Sequence, residues 1–206
     1  MVGIDQVNRL LEKRIEGRSL EENESIALIH ASIIDDIAQN IIKTAAMLER
    51  PHKNKIFALP PLYVDSICEN RCIYCNFRED GDSLSYEEFR TELKALLSKG
   101  YRSIELVFGQ NPSIFRRKEP FKLRDQQFDI SSVIKYFEIA KGEIDSAGGG
   151  MLTLNAPPLD KDSYKQLKKN GLDCFLLWAE TFNPMQYARL HPGHTPKTEQ
   201  RYRLES

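Results

Sequence analysis

From about residue 56 the chain alternates short apolar runs with longer stretches of helical period, and this alternation constrains the fold more than any other feature. The runs at 56–65, Ser103–Phe108, Met151–Asn155 and 173–179 have the length and composition of buried strands. Helical spacing covers 85–99, closed by Gly100, then about 131–141, then 160–169, closed by Gly171. Four β/α units in series predict a parallel sheet with helices packed on it. Right-handed crossovers would curl such a series toward a (β/α) TIM-type barrel whose functional loops lie at the C-terminal strand ends. The expected class is α/β, an incomplete parallel barrel of about four units over residues 55–206.

The first 54 residues have only the helical period. Ile4, Val7, Leu10, Leu11 and Ile15 form one stripe, and Gly17 ends it. Ser19 and Glu22 have capping-box spacing for a second helix through His30. Ile33, Ile34, Ile37, Ile41, Ala45 and Leu48 mark a third, ending before Pro51. We expect residues 1–54 to be an N-terminal helical arm whose apolar faces pack against the barrel domain rather than a partner.

Chemistry is concentrated just after the first strand. Cys68, Cys72 and Cys75 form C-x3-C-x2-C, leaving only Cys174 of the four cysteines elsewhere. Three closely spaced thiolates in so cysteine-poor a chain imply a metal centre. An iron–sulfur cubane normally takes four thiolates, so a loop offering three leaves one iron open to chelate a small molecule. A structural zinc site with Cys174, His191 or His194 as fourth ligand is the competing reading, and would make the chain a zinc-stabilised binding module. A disulfide is disfavoured. Asp5, Arg9, Glu12, Lys13 and Arg14 interrupt the N-terminus where a signal peptide would be apolar, and the expected setting is a reducing cytoplasm. A net charge of −1 gives no basic footprint for nucleic acid or anionic lipid, and no run of eighteen apolar residues suggests a membrane span. Gly109-Gln110, Asn155 and Glu180 follow strands two, three and four, so they should converge with the cysteine loop at one end of the sheet.

The cysteine loop, with Tyr74 just before its third cysteine, resembles the cluster loop of radical S-adenosylmethionine (radical SAM) enzymes. The approach Phe57-Ala58-Leu59-Pro60-Pro61-Leu62-Tyr63-Val64 and the exit Cys75-Asn76-Phe77-Arg78 resemble the subgroup containing 2-iminoacetate synthase and the tyrosine lyase of hydrogenase maturation. Ala179-Glu180-Thr181-Phe182, Tyr187 through Pro192, and Pro196-Lys197 are similar to that subgroup's fourth strand and following segment. Methylornithine-forming and biotin-type relatives share the same opening motifs. The resemblance implies that Cys68, Cys72 and Cys75 ligate a [4Fe-4S] cluster whose open iron binds S-adenosylmethionine. One electron, from a donor such as flavodoxin or ferredoxin, then yields a 5′-deoxyadenosyl radical that abstracts hydrogen from a small amino-acid-like substrate. It further implies that Tyr74 packs near the adenine, that Gly109, Gln110 and Glu180 contact the cofactor, and that Arg201 or Arg203 pairs with its carboxylate; Asn155 is expected to join them by its place at the end of strand three. Cleavage of the tyrosine Cα–Cβ bond is the reaction it suggests.

Two features depart from that pattern. Relatives usually carry Gly-Glu where this chain has Gly109-Gln110, which removes a charge from the cofactor's ammonium. Relatives also continue through two further β/α units after the point where this sequence stops. The chain is therefore expected to be a truncation or one piece of a split enzyme, with strand four an open apolar edge inviting a second polypeptide or self-association. A non-catalytic iron–sulfur fragment is the alternative to an enzyme. Cys174 is expected to be a small buried hydrophobe, the run Gly148-Gly149-Gly150 a flexible entry to strand three, and Glu180 a carboxylate costly to bury unless paired.

Overall fold

In the computed structural model, residues 3–32, 34–49, 57–118, 126–193 and 200–201 are described. The chain divides into two compact units, Met1–Phe57 and Ala58–Ser206.

The first unit contains α1 (Ile4–Ile15), α2 (Glu22–Ala31) and α3 (Asp35–Glu49). Val7, Leu10 and Leu11 share one face of α1 and are buried. With Ala31 and Ile37 they give this unit a core of its own, Leu28 and Ile41 packing at its margin. Gly17 ends α1 with φ +79°, as its position in the sequence suggested. The capping box of α2 lies two residues later than expected. The Glu24 carboxylate, not that of Glu22, accepts the N–H of Glu21, at 2.7 Å. Glu24 is also held there by Lys13, at 2.5 Å.

The second unit is built on a four-stranded parallel sheet. Its strands, in order across the sheet, are β1 (Pro61–Asp65), β2 (Ser103–Phe108), β5 (Met151–Asn155) and β6 (Cys174–Leu176). Between β2 and β5 the chain adds a small antiparallel ribbon, β3 (Arg116–Arg117) with β4 (Phe128–Asp129). Helices α4 (Tyr86–Ser98), α5 (Ser131–Ser146) and α6 (Lys161–Lys169) connect the strands, and α7 (Pro184–Leu190) follows β6. This is the α/β, partial (β/α) barrel that the alternation called for. No helix among the described residues is long and apolar enough to cross a membrane.

The two-residue period of a strand separates the sheet's faces. Leu62, Val64, Ile104, Leu106, Phe108, Leu152 and Leu154, all even-numbered, join Phe89, Leu93 and Leu97 of α4 and Val133, Phe137, Ala140 and Ile144 of α5 in the main core. Fully burying a valine, leucine, isoleucine or phenylalanine of this kind is worth about 1.5–3 kcal/mol. The odd-numbered residues, among them Tyr63, Glu105, Val107, Thr153 and Asn155, face the other way and include the polar positions. Helix starts are fixed locally. Ser85 Oγ accepts the N–H of Glu88 at 3.3 Å while the Glu88 carboxylate accepts that of Ser85 at 2.8 Å, the reciprocal box that opens α4. Asp160 opens α6 by accepting the N–H groups of Asp162 and Ser163 at 3.0 and 3.1 Å.

Three expectations are corrected. Strand four is shorter than 173–179: its partner β5 ends at Asn155, which pairs with Leu176, so nothing continues the ladder beyond that point. Cys174 is exposed, not buried, because it opens the strand at the sheet's edge, with no further described strand beside it. Gly150 is not a flexible entry. A Cβ there would meet Arg102 O at 1.8 Å, so only glycine lets β5 begin beside that carbonyl.

Candidate functional site

The cysteine loop leaves β1 and returns to α4 with its two legs paired. Ser66 N–H donates to Asp82 O at 2.8 Å, Cys68 N–H to Arg78 O at 2.9 Å, and Leu84 N–H to Val64 O at 2.9 Å. Arg78 folds back on the loop, donating to the carbonyls of Cys75 and Phe77 at 2.5 and 2.6 Å. Glu69 is anchored outward by an ion pair with Arg117 of β3. The end of β2 passes directly beneath. Gly109 N–H donates to Asp65 O at 2.7 Å, and a Cβ on Gly109 would lie 2.2 Å from Ile67 O. Only glycine permits that approach.

Cys68, Cys72 and Cys75 line one open cavity of about 560 Å³. Tyr74, Gly109, Gln110, Asn155 and Glu180 line it too, so five of the six non-cysteine residues picked from the sequence come together with the cysteines. Arg201 is exposed and does not line it, and Arg203 lies outside the described residues. Trp178, 59% exposed, contributes an apolar wall that the sequence reading did not single out.

The cavity's polar lining is held in place by neighbours. Asn155 donates to Glu105 Oε1 at 2.8 Å, across from β5 to β2. Gln110 Oε1 accepts from Asn70 Nδ2 at 2.9 Å. The Tyr74 hydroxyl meets His191 Nε2 at 2.8 Å, while His191 Nδ1 lies 2.8 Å from Tyr187 O, a carbonyl that can only accept. Nδ1 therefore carries a proton. Nearby, Ile73 N–H donates to Leu190 O at 3.1 Å, so α7 is fastened to the cysteine loop by backbone and side chain together. Burial raises the Tyr74 phenol above its ordinary range, with Cys72 and Glu180 adding to the effect, so the hydroxyl keeps its proton. Because both His191 ring nitrogens are engaged, this histidine is not poised as a fourth metal ligand; His194 lies outside the described residues.

Glu180 is exposed at the cavity mouth, so the cost of burying an unpaired carboxylate does not arise. Its backbone carries the distinction instead. Its φ of +61° is the one left-handed value among described non-glycine residues, a conformation that costs of order 1 kcal/mol or more and aims the side chain toward Tyr74.

The sequence signature of the radical SAM superfamily matches residues 63–201, more than half of the chain. The chain belongs to the radical SAM superfamily. Members of this superfamily use a [4Fe-4S] cluster and S-adenosylmethionine. Among curated relatives, the chain is 21% identical over 197 residues to 3-methylornithine synthase of Methanosarcina acetivorans, covering 94% of this chain and 52% of that one. It is 25% identical over 190 residues to 2-iminoacetate synthase of Escherichia coli, covering 88% and 44%. The crystal structure of HydG, a maturase of the FeFe-hydrogenase, superposes with a TM-score of 0.71 at 23% identity, covering 97% of this chain and 42% of that one. That likeness shows a shared fold. The chain spans about half the length of the curated relatives it matches.

The residues fit the group that the radical SAM family implies. Cys68 Sγ accepts from Gln110 N–H at 3.3 Å and Asn70 Nδ2 at 3.5 Å, and Cys75 Sγ from Phe77 N–H at 3.4 Å. Donors aimed at sulfur suit thiolates that bind iron. Among the described residues no three His, Cys, Asp or Glu side chains converge as ligands of a single ion. Cys68, Cys72 and Cys75 line one cavity, where the three thiolates would hold a cluster.

Proposed function

We propose that this chain carries the cluster-binding and cofactor-binding half of a radical SAM enzyme acting on an amino-acid substrate. The observation that carries the reading is the convergence of Cys68, Cys72 and Cys75 with Gly109, Gln110, Asn155 and Glu180 on one cavity at the C-terminal strand ends. Once reduced, a bound [4Fe-4S] cluster supplies the electron that cleaves S-adenosylmethionine to methionine and a 5′-deoxyadenosyl radical.

The chain's own residues do the rest. The three cysteines hold the cluster, and the N–H groups of Gln110 and Phe77 support two of the sulfurs. Tyr74, fixed by His191, and Trp178 present aromatic surface for the adenine. Glu180 offers a carboxylate at the cavity mouth, and Asn155, steadied by Glu105, lines the floor. Val107 and Tyr63 add apolar surface to the same cavity. The substrate class is supported by the relatives, whose names place 2-iminoacetate and 3-methylornithine, both amino-acid skeletons, as products. Tyrosine is the first substrate to test, its Cα–Cβ bond the one broken.

The test is anaerobic reconstitution of the chain, reduction with dithionite in place of flavodoxin or ferredoxin, and chromatography for 5′-deoxyadenosine. Its formation, increased by tyrosine and accompanied by a cresol, is expected. A loaded cluster that yields no 5′-deoxyadenosine under any condition would leave a non-catalytic iron–sulfur protein as the correct reading.

A further inference from the structure

Gln110 is 5% exposed and lines the cavity. Its Oε1 is taken by Asn70, but its Nε2 has no hydrogen-bond partner among the described residues. Buried polar groups normally have a partner, so a donor left over beside a cavity is one that a bound group can satisfy. Which end of the amide faces the cavity is decided elsewhere. Asn70, 4% exposed, contacts Cys68 Sγ through Nδ2 at 3.5 Å. A cysteine thiolate only accepts, so the Asn70 amide must turn its N–H side toward the sulfur; the opposite orientation would set Oδ1 against negative charge. With Asn70 fixed as the donor, Gln110 must answer with its carbonyl. Its NH2 group is then the part left for the cavity.

We propose that Asn70 is a positioning residue that uses the Cys68 sulfur to lock Gln110 with its amide N–H facing the cavity. The result is a donor subsite for the carboxylate of a bound amino-acid group. The inference rests on the cluster reading, because only a thiolate at Cys68 fixes the polarity. It has a second consequence at the same atom. The Asn70 N–H withdraws charge from Cys68 Sγ, which favours the reduced cluster and raises its potential. A carboxylate is carried both by S-adenosylmethionine and by an amino-acid substrate, and the two can be separated by binding.

The experiment compares the reconstituted chain with Gln110→Glu, Gln110→Met and Asn70→Asp. Iron and sulfide are counted per chain, the midpoint potential is read by redox titration, and binding of S-adenosylmethionine, then of tyrosine in its presence, is read by equilibrium dialysis. Gln110→Glu keeps an acceptor for Asn70 but faces the cavity with a carboxylate. It should weaken one of the two ligands by about tenfold or more, and whichever weakens is the one whose carboxylate sits there. Gln110→Met should weaken the same ligand without adding charge. Asn70→Asp should lower the midpoint potential and weaken that ligand together. Tighter binding by Gln110→Glu would overturn the proposal, since an ammonium would then occupy the subsite. So would an unchanged potential in Asn70→Asp carrying a full cluster. If the unaltered chain takes up no cluster, the proposed function fails and this inference with it, an outcome visible in the iron count before any variant is read.

Discussion

Replacing Gly109 by alanine should be among the most damaging of single-methyl changes in this chain. The added Cβ would lie 2.2 Å from Ile67 O and 2.9 Å from Ile67 C, where real Cβ atoms essentially never come within 3.0 Å. Both neighbours are backbone, so no flexible side chain can move aside. Relief requires separating the end of β2 from the cysteine loop, which strains three hydrogen bonds at that joint: Gly109 N–H to Asp65 O, Glu69 N–H to Gln110 O, and Gln110 N–H to Cys68 Sγ. Overpacking of this kind costs about 1–3 kcal/mol, and partly weakening these three bonds adds about 1–2 kcal/mol. The expected loss is about 2–5 kcal/mol. Gly142→Ala is the matched control, because a Cβ there meets nothing within 4 Å and the residue is exposed in the interior of α5. It should stabilise by about 0.5–1 kcal/mol. Urea unfolding of the metal-free chain reads both changes as midpoint shifts at constant slope. A loss below about 0.5 kcal/mol for Gly109→Ala, or the same sign for both variants, would refute the close-approach argument.

Asp160→Ala removes the cap of α6 and the acceptor for the Phe128 N–H at 3.1 Å, so a loss of about 2–3 kcal/mol is expected in the same assay, with Asp160→Asn recovering most of it. Burial raises the Asp65 carboxyl above its ordinary range, more than the Ile67 N–H lowers it. The folded state therefore holds that proton more tightly than the unfolded chain, and Asp65 makes stability fall as pH rises from the ordinary carboxylate range through the folded value. The difference between the chain and Asp65→Asn, measured from about pH 3 to 7, should show this slope removed; parallel profiles would contradict it. Tyr74→Phe takes away the hydroxyl on His191 Nε2 and should cost about 1–3 kcal/mol locally, read as faster hydrogen exchange at the Ile73 amide, whose bond to Leu190 O belongs to the same joint. Unchanged exchange would mean that α7 is held by other contacts.

What the sequence revealed depended on how local the cause was. β2 and β5 were legible to the residue, because each is a short apolar run bounded by turn residues and buried between neighbouring strands. α5 was expected to stop near 141, where Gly142 weakens the helix, but Ile144 is fully buried and carries it on to Ser146. The ribbon of β3 and β4 has only two residues per strand, too few to show any period. The cysteine loop stood out as a candidate ligand set from spacing alone. The contacts that shape its surroundings were not: Tyr74 and His191 are separated by 117 positions, Glu69 and Arg117 by 48, and Asn70 and Gln110 by 40. Glu180 stood out as a carboxylate after an apolar run, yet its left-handed backbone leaves no trace in residue type.

In the proposed function Cys68, Cys72 and Cys75 together hold an iron–sulfur cluster and Cys174 does not. Iron and sulfide per chain, measured after anaerobic reconstitution of the chain and of the four single cysteine-to-alanine variants, tests it most directly. About four irons and four sulfides are expected for the chain and for Cys174→Ala, with loss of the cluster in Cys68→Ala, Cys72→Ala and Cys75→Ala. A full cluster in Cys72→Ala, its loss in Cys174→Ala, or zinc bound in place of iron would contradict it.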